Sequence, residues 1–131
     1  MTIFQLFCLM YKAFDTVENH ADFSFEDFLS DMDPYIWNDE GSADPAEYEE
    51  FFAFMKDKTI GDDFGYSLVT AYISCIERCY VDRPLTDYFA VSKQKWIDMA
   101  KEYLSLKILL HGIRICDQKR LFELLILGIL W

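Results

Sequence analysis

The spacing of apolar residues at the start of the chain constrains the fold more than any other feature of this sequence. Intervals of four and three separate Ile3, Phe7, Met10, Phe14 and Val17. Residues at these intervals lie on one face of an α-helix. Thr2 and Gln5 have the capping-box pattern, in which each side chain accepts a hydrogen bond from the other residue's backbone N–H. The pattern predicts a helix over residues 2–19.

A second helix is predicted by its start and stop signals. Ser24 is the predicted N-cap, and Phe23 and Phe28 flank it as a hydrophobic staple. Pro34 disfavours helical backbone in the residue before it, so the helix is expected to end near Met32.

A third helix begins in the stretch GSADPAEYEEFF, residues 41–52. Asp44 is the predicted N-cap, Pro45 occupies the first helical position and Glu47 lies where the helix dipole favours an anion. The expected buried stripe comprises Tyr48, Phe51, Phe52 and Met55. Helix initiation therefore explains the acids of this stretch without a bound ligand.

Two later segments complete an all-α prediction. Residues 62–81 carry two apolar stripes, Phe64, Leu68, Tyr72, Cys75 and Cys79 on one side and Tyr66, Val69, Ile73, Ile76 and Tyr80 on the other. A helix that is apolar on two sides is typical of the centre of a bundle. Ser92 is the predicted cap of the next helix, whose inner face comprises Trp96, Met99, Ala100, Tyr103 and Leu106. We predict a single domain over residues 1–131, a compact all-α bundle of five to six helices with a central helix near 62–81.

The end of the chain differs in composition from the rest. Residues 104–131 contain nine of the fourteen leucines but only one of the twenty phenylalanine and tyrosine residues. Three explanations stay open: a fully buried last helix, an interface helix for a homo-oligomer or another partner, and a tail translated out of frame after Lys107.

The charge of the chain is concentrated in its first half. The formal net charge is −11, and residues 15–63 hold sixteen acids against Lys56 and Lys58, a local net charge of −14. Such a stretch repels phosphate groups, so we expect neither direct nucleic-acid binding nor binding to an anionic membrane. The same charge attracts a basic protein partner.

Motifs for catalysis and metal binding are weak. The acidic run from Asp31 begins like an EF-hand loop, but Ile36 stands where glycine is needed and Ser42 where a bidentate glutamate is needed. Cys75 and Cys79 are predicted on one helix face, and we interpret them as buried structural cysteines rather than zinc ligands. The sequence carries no nucleotide-binding or hydrolase signature. We therefore expect no cofactor, no metal and no enzymatic activity.

The cysteines and the hydropathy pattern bear on the cellular compartment. Four cysteines occur without a CxxC pair, no Lys or Arg precedes Lys12, and no apolar run reaches the roughly 20 residues that span a bilayer. We expect a reduced cytoplasmic protein with neither a signal peptide nor a membrane span.

An acidic surface that includes aromatic residues is the expected functional feature. The predicted partner-binding residues are Asp31, Asp33, Tyr35, Trp37, Asp39, Glu40, Glu47, Glu49 and Glu50. Carboxylates would steer the encounter with a basic protein, and the aromatic side chains would anchor it. We predict a non-catalytic acidic binding domain, an inhibitor of the immunity-protein type or a nucleic-acid-mimicking antagonist. The alternatives are an oligomeric structural or adaptor protein that uses the apolar C-terminal helix, and a small metal-dependent enzyme.

Overall fold

The computed structural model describes residues 1–16, 23–76, 79–80 and 83–109. The α-helices in these residues are α1 (Ile3–Asp15), α2 (Phe23–Met32), α3 (Pro45–Met55), α4 (Tyr66–Ile76) and α5 (Lys93–Leu109). Between α4 and α5, the two-residue strands β1 (Cys79–Tyr80) and β2 (Arg83–Pro84) pair antiparallel, and a 3-10 helix covers Leu85–Tyr88. The predicted all-α bundle of five to six helices is confirmed.

Helix α1 begins as its capping box predicts. The Gln5 backbone N–H donates to Thr2 Oγ1 at 3.1 Å, and the Thr2 N–H donates to Gln5 Oε1 at 2.8 Å. These two bonds satisfy donors that a helix start otherwise leaves unpaired. The helix ends at Asp15 with Thr16 as its C-cap, earlier than the predicted end at residue 19. Residues 17–19 lie outside the described residues.

Helix α1 forms the centre of the bundle. Nine of its thirteen residues are buried, while Gln5 and Lys12 on the remaining side are partly buried. Helices α2, α3 and α5 all pack against it. So many buried residues need cover from several other elements, because each large apolar side chain contributes about 1.5–3 kcal/mol only when it leaves water.

Helix α4 is less central than the two apolar stripes suggested. It buries Val69, Tyr72 and Ile73 on one face, while Ala71 and Cys75 lie exposed on another. Cys75 belongs to the first predicted stripe, so that stripe is not buried along its whole length. The structure thus places α1, rather than the predicted helix near 62–81, at the centre.

Aromatic rings fill much of the core. Phe14 on α1 lies edge-on to Phe25 at 5.8 Å and Phe28 at 6.0 Å on α2, and to Phe89 at 5.6 Å in the segment before α5. Phe25 stacks on Tyr88 of the 3-10 helix with ring centroids 4.1 Å apart. Edge-to-face and offset contacts of this kind add about 0.5–1.5 kcal/mol each beyond area burial, which explains why the chain is so rich in aromatic residues.

The helix boundaries follow most of the predicted signals. Helix α2 ends at Met32 ahead of Pro34, as predicted, but it begins at Phe23, so Ser24 lies inside the first turn instead of at the N-cap. The Ser92 cap of α5 is confirmed, since Ser92 Oγ accepts from the Lys95 N–H at 3.1 Å.

Helix α4 ends earlier than predicted. Its last residue is Ile76, and Cys79 belongs to β1. The prediction that Cys75 and Cys79 share a helix face is therefore wrong. The run of apolar residues across 62–81 does not distinguish a helix from a helix followed by a short strand.

A close approach of backbone and side chain joins the start of α4 to α1. Gly65 has a φ of +83°, and a Cβ atom on it would lie 2.6 Å from Leu6 Cδ1. Phe64 before it also has a positive φ of 54°, and its carbonyl accepts from Trp96 Nε1 at 3.0 Å. This turn fixes α4 against both α1 and α5. The predictions for the leucine-rich end, residues 110–131, lie outside the described residues.

Candidate protein-interaction site

The segment between α2 and α3, residues 33–44, forms a loop whose two ends are tied together. The Ala43 N–H donates to the Asp33 carbonyl at 2.9 Å, and the Asp44 N–H donates to the Asp31 carbonyl at 2.9 Å. The Asp33 carboxylate also accepts from the Tyr35 N–H at 2.9 Å, which makes a local turn typical of aspartate. We call residues 33–44 the 33–44 loop. Its closed base resembles that of a compact Ω-loop.

Ser42 joins this loop to the first turn of α3. Its hydroxyl accepts from the Tyr48 N–H at 2.9 Å and donates to the Asp44 carbonyl at 2.5 Å. In a regular helix the Tyr48 N–H would donate directly to the Asp44 carbonyl. Here the Ser42 hydroxyl lies between these two groups and bonds to both. Ser42 is 1% exposed. The start of α3 and the loop base therefore form one hydrogen-bonded unit.

Asp44 and Pro45 begin α3 as predicted. Asp44 Oδ1 accepts from the Ala46 N–H at 3.1 Å, and Pro45 occupies the first helical position. The helix turns Phe51 and Met55 into the core and leaves Glu49 and Glu50 exposed. The caps thus set which acids of this helix face outward.

The outer part of the 33–44 loop exposes two large apolar side chains. Ile36 is 51% exposed and Trp37 is 52% exposed. Asp39 and Glu40 follow them and are also exposed. Single exposed apolar residues are ordinary on protein surfaces, and here two of them are adjacent on one loop.

Two of the nine predicted site residues are buried. Asp33 is 7% exposed and Tyr35 is 8% exposed. Asp33 supports the turn described above, and the Tyr35 ring lies edge-on to Tyr11 with centroids 6.3 Å apart. Burial raises the pKa of Tyr35, as do the neighbouring Cys8 and Tyr103. Both residues support the loop from beneath, and neither belongs to its exposed surface.

The other seven predicted residues lie at or near the surface. Glu47 is partly buried, while the exposed members are Asp31, Trp37, Asp39, Glu40, Glu49 and Glu50. They come from the end of α2, the 33–44 loop and the first turns of α3, and the hydrogen bonds at the loop base hold these three elements together. We call these seven residues with Ile36 the acidic face.

Tyr48 lies where α3 meets the loop. Its ring is edge-on to Phe4 at 5.5 Å and Phe7 at 5.2 Å, so it is anchored on α1. Burial raises the pKa of Tyr48 to about 12, with the negative charge of Glu40 adding to the effect.

Two exposed residues were not foreseen by the sequence analysis. Ile36 was considered only as a misfit in a calcium loop, and Phe52 was expected in the buried stripe but is 44% exposed. The adjacent pair Phe51-Phe52 carried a usable signal. Neighbouring helix positions lie about 100° apart, so both rings cannot point into the core from a one-sided helix.

Metal ligands and reactive thiols do not converge in the described residues. Those residues contain no group of three or more His, Cys, Asp or Glu side chains placed to hold a metal ion. Cys75 is exposed, so the prediction that it is a buried structural cysteine is wrong, whereas Cys8 is buried. The alternative of a metal-dependent enzyme gains no donor set from the described part of the chain.

Comparison with known proteins gives no relative for this chain. No protein-family model, no curated protein and no solved structure matches it. Among the helices that the structure describes, none has both the length and the apolar character to cross a membrane. Arguments about function therefore depend on the residues themselves.

Proposed function

We propose that this chain is a non-catalytic acidic binding domain that docks on a basic protein. The observation that carries the proposal is the exposed pair Ile36 and Trp37 on a loop with a fixed base, with Asp39 and Glu40 beside it. An apolar anchor surrounded by charge of one sign suits a partner with a cleft surrounded by the opposite charge.

The charge and the anchor have different roles in this proposal. The carboxylates of the acidic face raise the rate of encounter with a cationic surface and exclude anionic competitors. The Trp37 ring provides apolar surface that is removed from water on binding. Truncation of such an anchor commonly costs about 2 kcal/mol or more of binding free energy. A fixed loop base lowers the entropy lost on binding, because fewer backbone torsions have to be ordered.

Antagonism follows from the same properties. A surface rich in carboxylates competes for cationic sites that otherwise hold phosphate groups, so a nucleic-acid-binding or nucleic-acid-cleaving protein is the natural type of target. The chain would then act as an inhibitor of the immunity-protein type or as a nucleic-acid mimic. A cytoplasmic location fits this proposal, since neither Cys8 nor Cys75 forms a disulfide within the described residues.

The test is capture of partners from the source lysate at low and high salt with three baits. The first bait is the wild-type chain, and the second carries Asp39→Asn and Glu40→Gln. The third is a matched control that removes the same number of charges elsewhere, with Asp87→Asn and Asp98→Asn. The proposal predicts a basic protein that the wild type and the control retain at low salt and lose at high salt, and that the loop variant captures poorly. Equal capture by all three baits, or capture that high salt leaves unchanged, would contradict it.

A further inference from the structure

A cavity of about 480 Å³ opens between the start of α1, the segment that joins α3 to α4, and α5. Its lining includes four apolar residues that are half-buried and pack against the core, namely Ile3, Ile60, Phe64 and Leu104. Sites for small molecules are commonly concave, mostly apolar and about 300–1,000 Å³ in volume. The cavity is therefore large enough for a small ligand with an apolar body.

Hydrogen bonds hold one wall of this cavity in place. The Phe64 carbonyl accepts from Trp96 Nε1 on α5 at 3.0 Å, and the Phe64 N–H donates to the Gly61 carbonyl at 3.2 Å. The segment between α3 and α4 is thereby tied to α5. A wall that is already fixed lowers the conformational entropy lost when a ligand binds.

A cationic side chain accompanies the apolar lining. Among the described residues that line the cavity, Lys58 has the only charged side chain. Lys58 Nζ donates to the Phe54 carbonyl at 2.5 Å and lies 3.9 Å from the centroid of the Phe54 ring. That ring lies edge-on to Tyr72 at 5.3 Å. The ammonium group is thus held in position, and since it has three N–H donors, two remain beyond the bond to Phe54.

The start of α1 adds to the positive potential at the cavity. Thr2 and Ile3 belong to its lining, and the first turn of α1 contains no acidic residue. The N-terminal end of a helix carries a partial positive charge that favours anions. In a chain of net charge −11, this cavity combines a cation with no carboxylate among its described lining residues, and its charge is complementary to an anion.

We propose that this cavity binds a medium-chain fatty acid. The carboxylate accepts N–H groups of Lys58, and the hydrocarbon chain lies against Ile60, Phe64 and Leu104. A ligand with one negative charge and an apolar chain matches one ammonium group beside an apolar lining, and the moderate volume favours a medium chain over a long one. The cavity shares no residue with the acidic face, so this inference goes beyond the proposed function and does not depend on it.

The test titrates the full chain with sodium octanoate and follows amide and methyl signals by NMR. Octanoate should shift the signals of Ile3, Ile60 and Leu104 most. Butanoate should bind more weakly, because each methylene group that no longer contacts the cavity lowers affinity by up to about fourfold. Octan-1-ol, which lacks the charge, should bind more weakly than octanoate by about two- to fivefold, the range of an exposed ion pair.

Matched variants separate the role of the charge from that of the apolar lining. Lys58→Met should weaken octanoate by about two- to fivefold and leave octan-1-ol unchanged, whereas Lys56→Met, which removes an exposed cation two residues earlier, should change neither affinity. Ile60→Ala should weaken both ligands, and Ile36→Ala on the 33–44 loop should weaken neither. Thermal unfolding of each variant checks that it is folded.

The inference is overturned if octanoate shifts no signals of the lining residues, if its shifts spread over the whole surface, or if Lys58→Met binds it as Lys56→Met does. Equal affinity of the wild type for octan-1-ol and octanoate would also overturn it, because the ammonium group would then not select the ligand. None of these results bears on the proposed function, which is tested by capture of a basic protein through the 33–44 loop.

Discussion

Ser42→Ala is the substitution that most directly tests how the fold holds the 33–44 loop. The hydroxyl makes two hydrogen bonds inside the protein, one with the Tyr48 N–H and one with the Asp44 carbonyl. A hydrogen bond contributes about 0.5–1.5 kcal/mol net, so losing both costs about 1–3 kcal/mol. Without the hydroxyl, the Tyr48 N–H and Asp44 carbonyl can bond to each other and recover about one bond. We expect the free energy of unfolding to fall by about 0.5–1.5 kcal/mol, the net loss of one hydrogen bond.

The assay is urea unfolding, with amide hydrogen exchange as a local readout. Ser74→Ala is the matched control, because Ser74 Oγ donates to the Thr70 carbonyl on an exposed part of α4. An exposed serine of this kind should change stability by less than about 0.5 kcal/mol. Ser42→Ala should also speed exchange of the Ala43 amide, which closes the loop base. If Ser42→Ala matches Ser74→Ala in stability and Ala43 exchange is unchanged, the hydroxyl does not hold the loop.

Three further predictions concern other parts of the fold. Gly65→Ala would place a Cβ atom 2.6 Å from Leu6 on a backbone with positive φ. Thermal or urea unfolding should therefore show a loss of about 2–4 kcal/mol in the free energy of unfolding. Gly41→Ala is the control, because its Cβ would meet no atom within 4 Å, and it should change the free energy of unfolding by less than about 0.5 kcal/mol. Cys75 is exposed, so maleimide labelling of the folded protein should show a fast-reacting thiol that Cys75→Ser removes. Hydrogen bonds at the start of α4 lower the pKa of Asp63. Because the pKa of Asp63 is lower in the folded than in the unfolded protein, where it is about 3.9, the ionised carboxylate stabilises the fold at neutral pH. This stabilisation is lost as the pH falls through the folded pKa. The free energy of unfolding of the wild type, measured in urea, should therefore approach that of Asp63→Asn between about pH 5 and pH 3.

Helix starts were the part of the fold that the sequence predicted best. The caps at Thr2, Asp44 and Ser92 all form hydrogen bonds with backbone N–H groups one turn or less away. These interactions are local, so the residue type and spacing nearly determine them. The all-α class follows from the same signals.

Burial was harder to predict, because it depends on which helices meet. Cys75 and Phe52 each lie on an apolar stripe, yet both are exposed, since no described helix covers those positions. Conversely, α1 shows one clear stripe in the sequence but buries nine of its thirteen residues, since three other helices pack against it. Periodicity identifies a helix and one of its faces, and tertiary packing decides how much of the helix is enclosed.

The nine predicted partner-binding residues differ in burial, which the sequence did not predict. Trp37 is exposed, while its role in binding a partner stays a prediction. Asp33 and Tyr35 could not be separated from their exposed neighbours by composition, because their burial follows from loop-closing hydrogen bonds between residues 31–33 and 43–44. The proposed partner stays a prediction.

The central claim is that Trp37 anchors, and the carboxylates steer, the binding of a basic protein. Its most direct test is the dissociation constant of the captured partner, measured against salt concentration for the wild type and for Trp37→Ala. We predict that affinity falls steeply with salt for both proteins, and that Trp37→Ala is weaker by at least about 30-fold at every salt concentration. An affinity that does not change with salt, or a Trp37→Ala variant that binds like the wild type, would contradict the account.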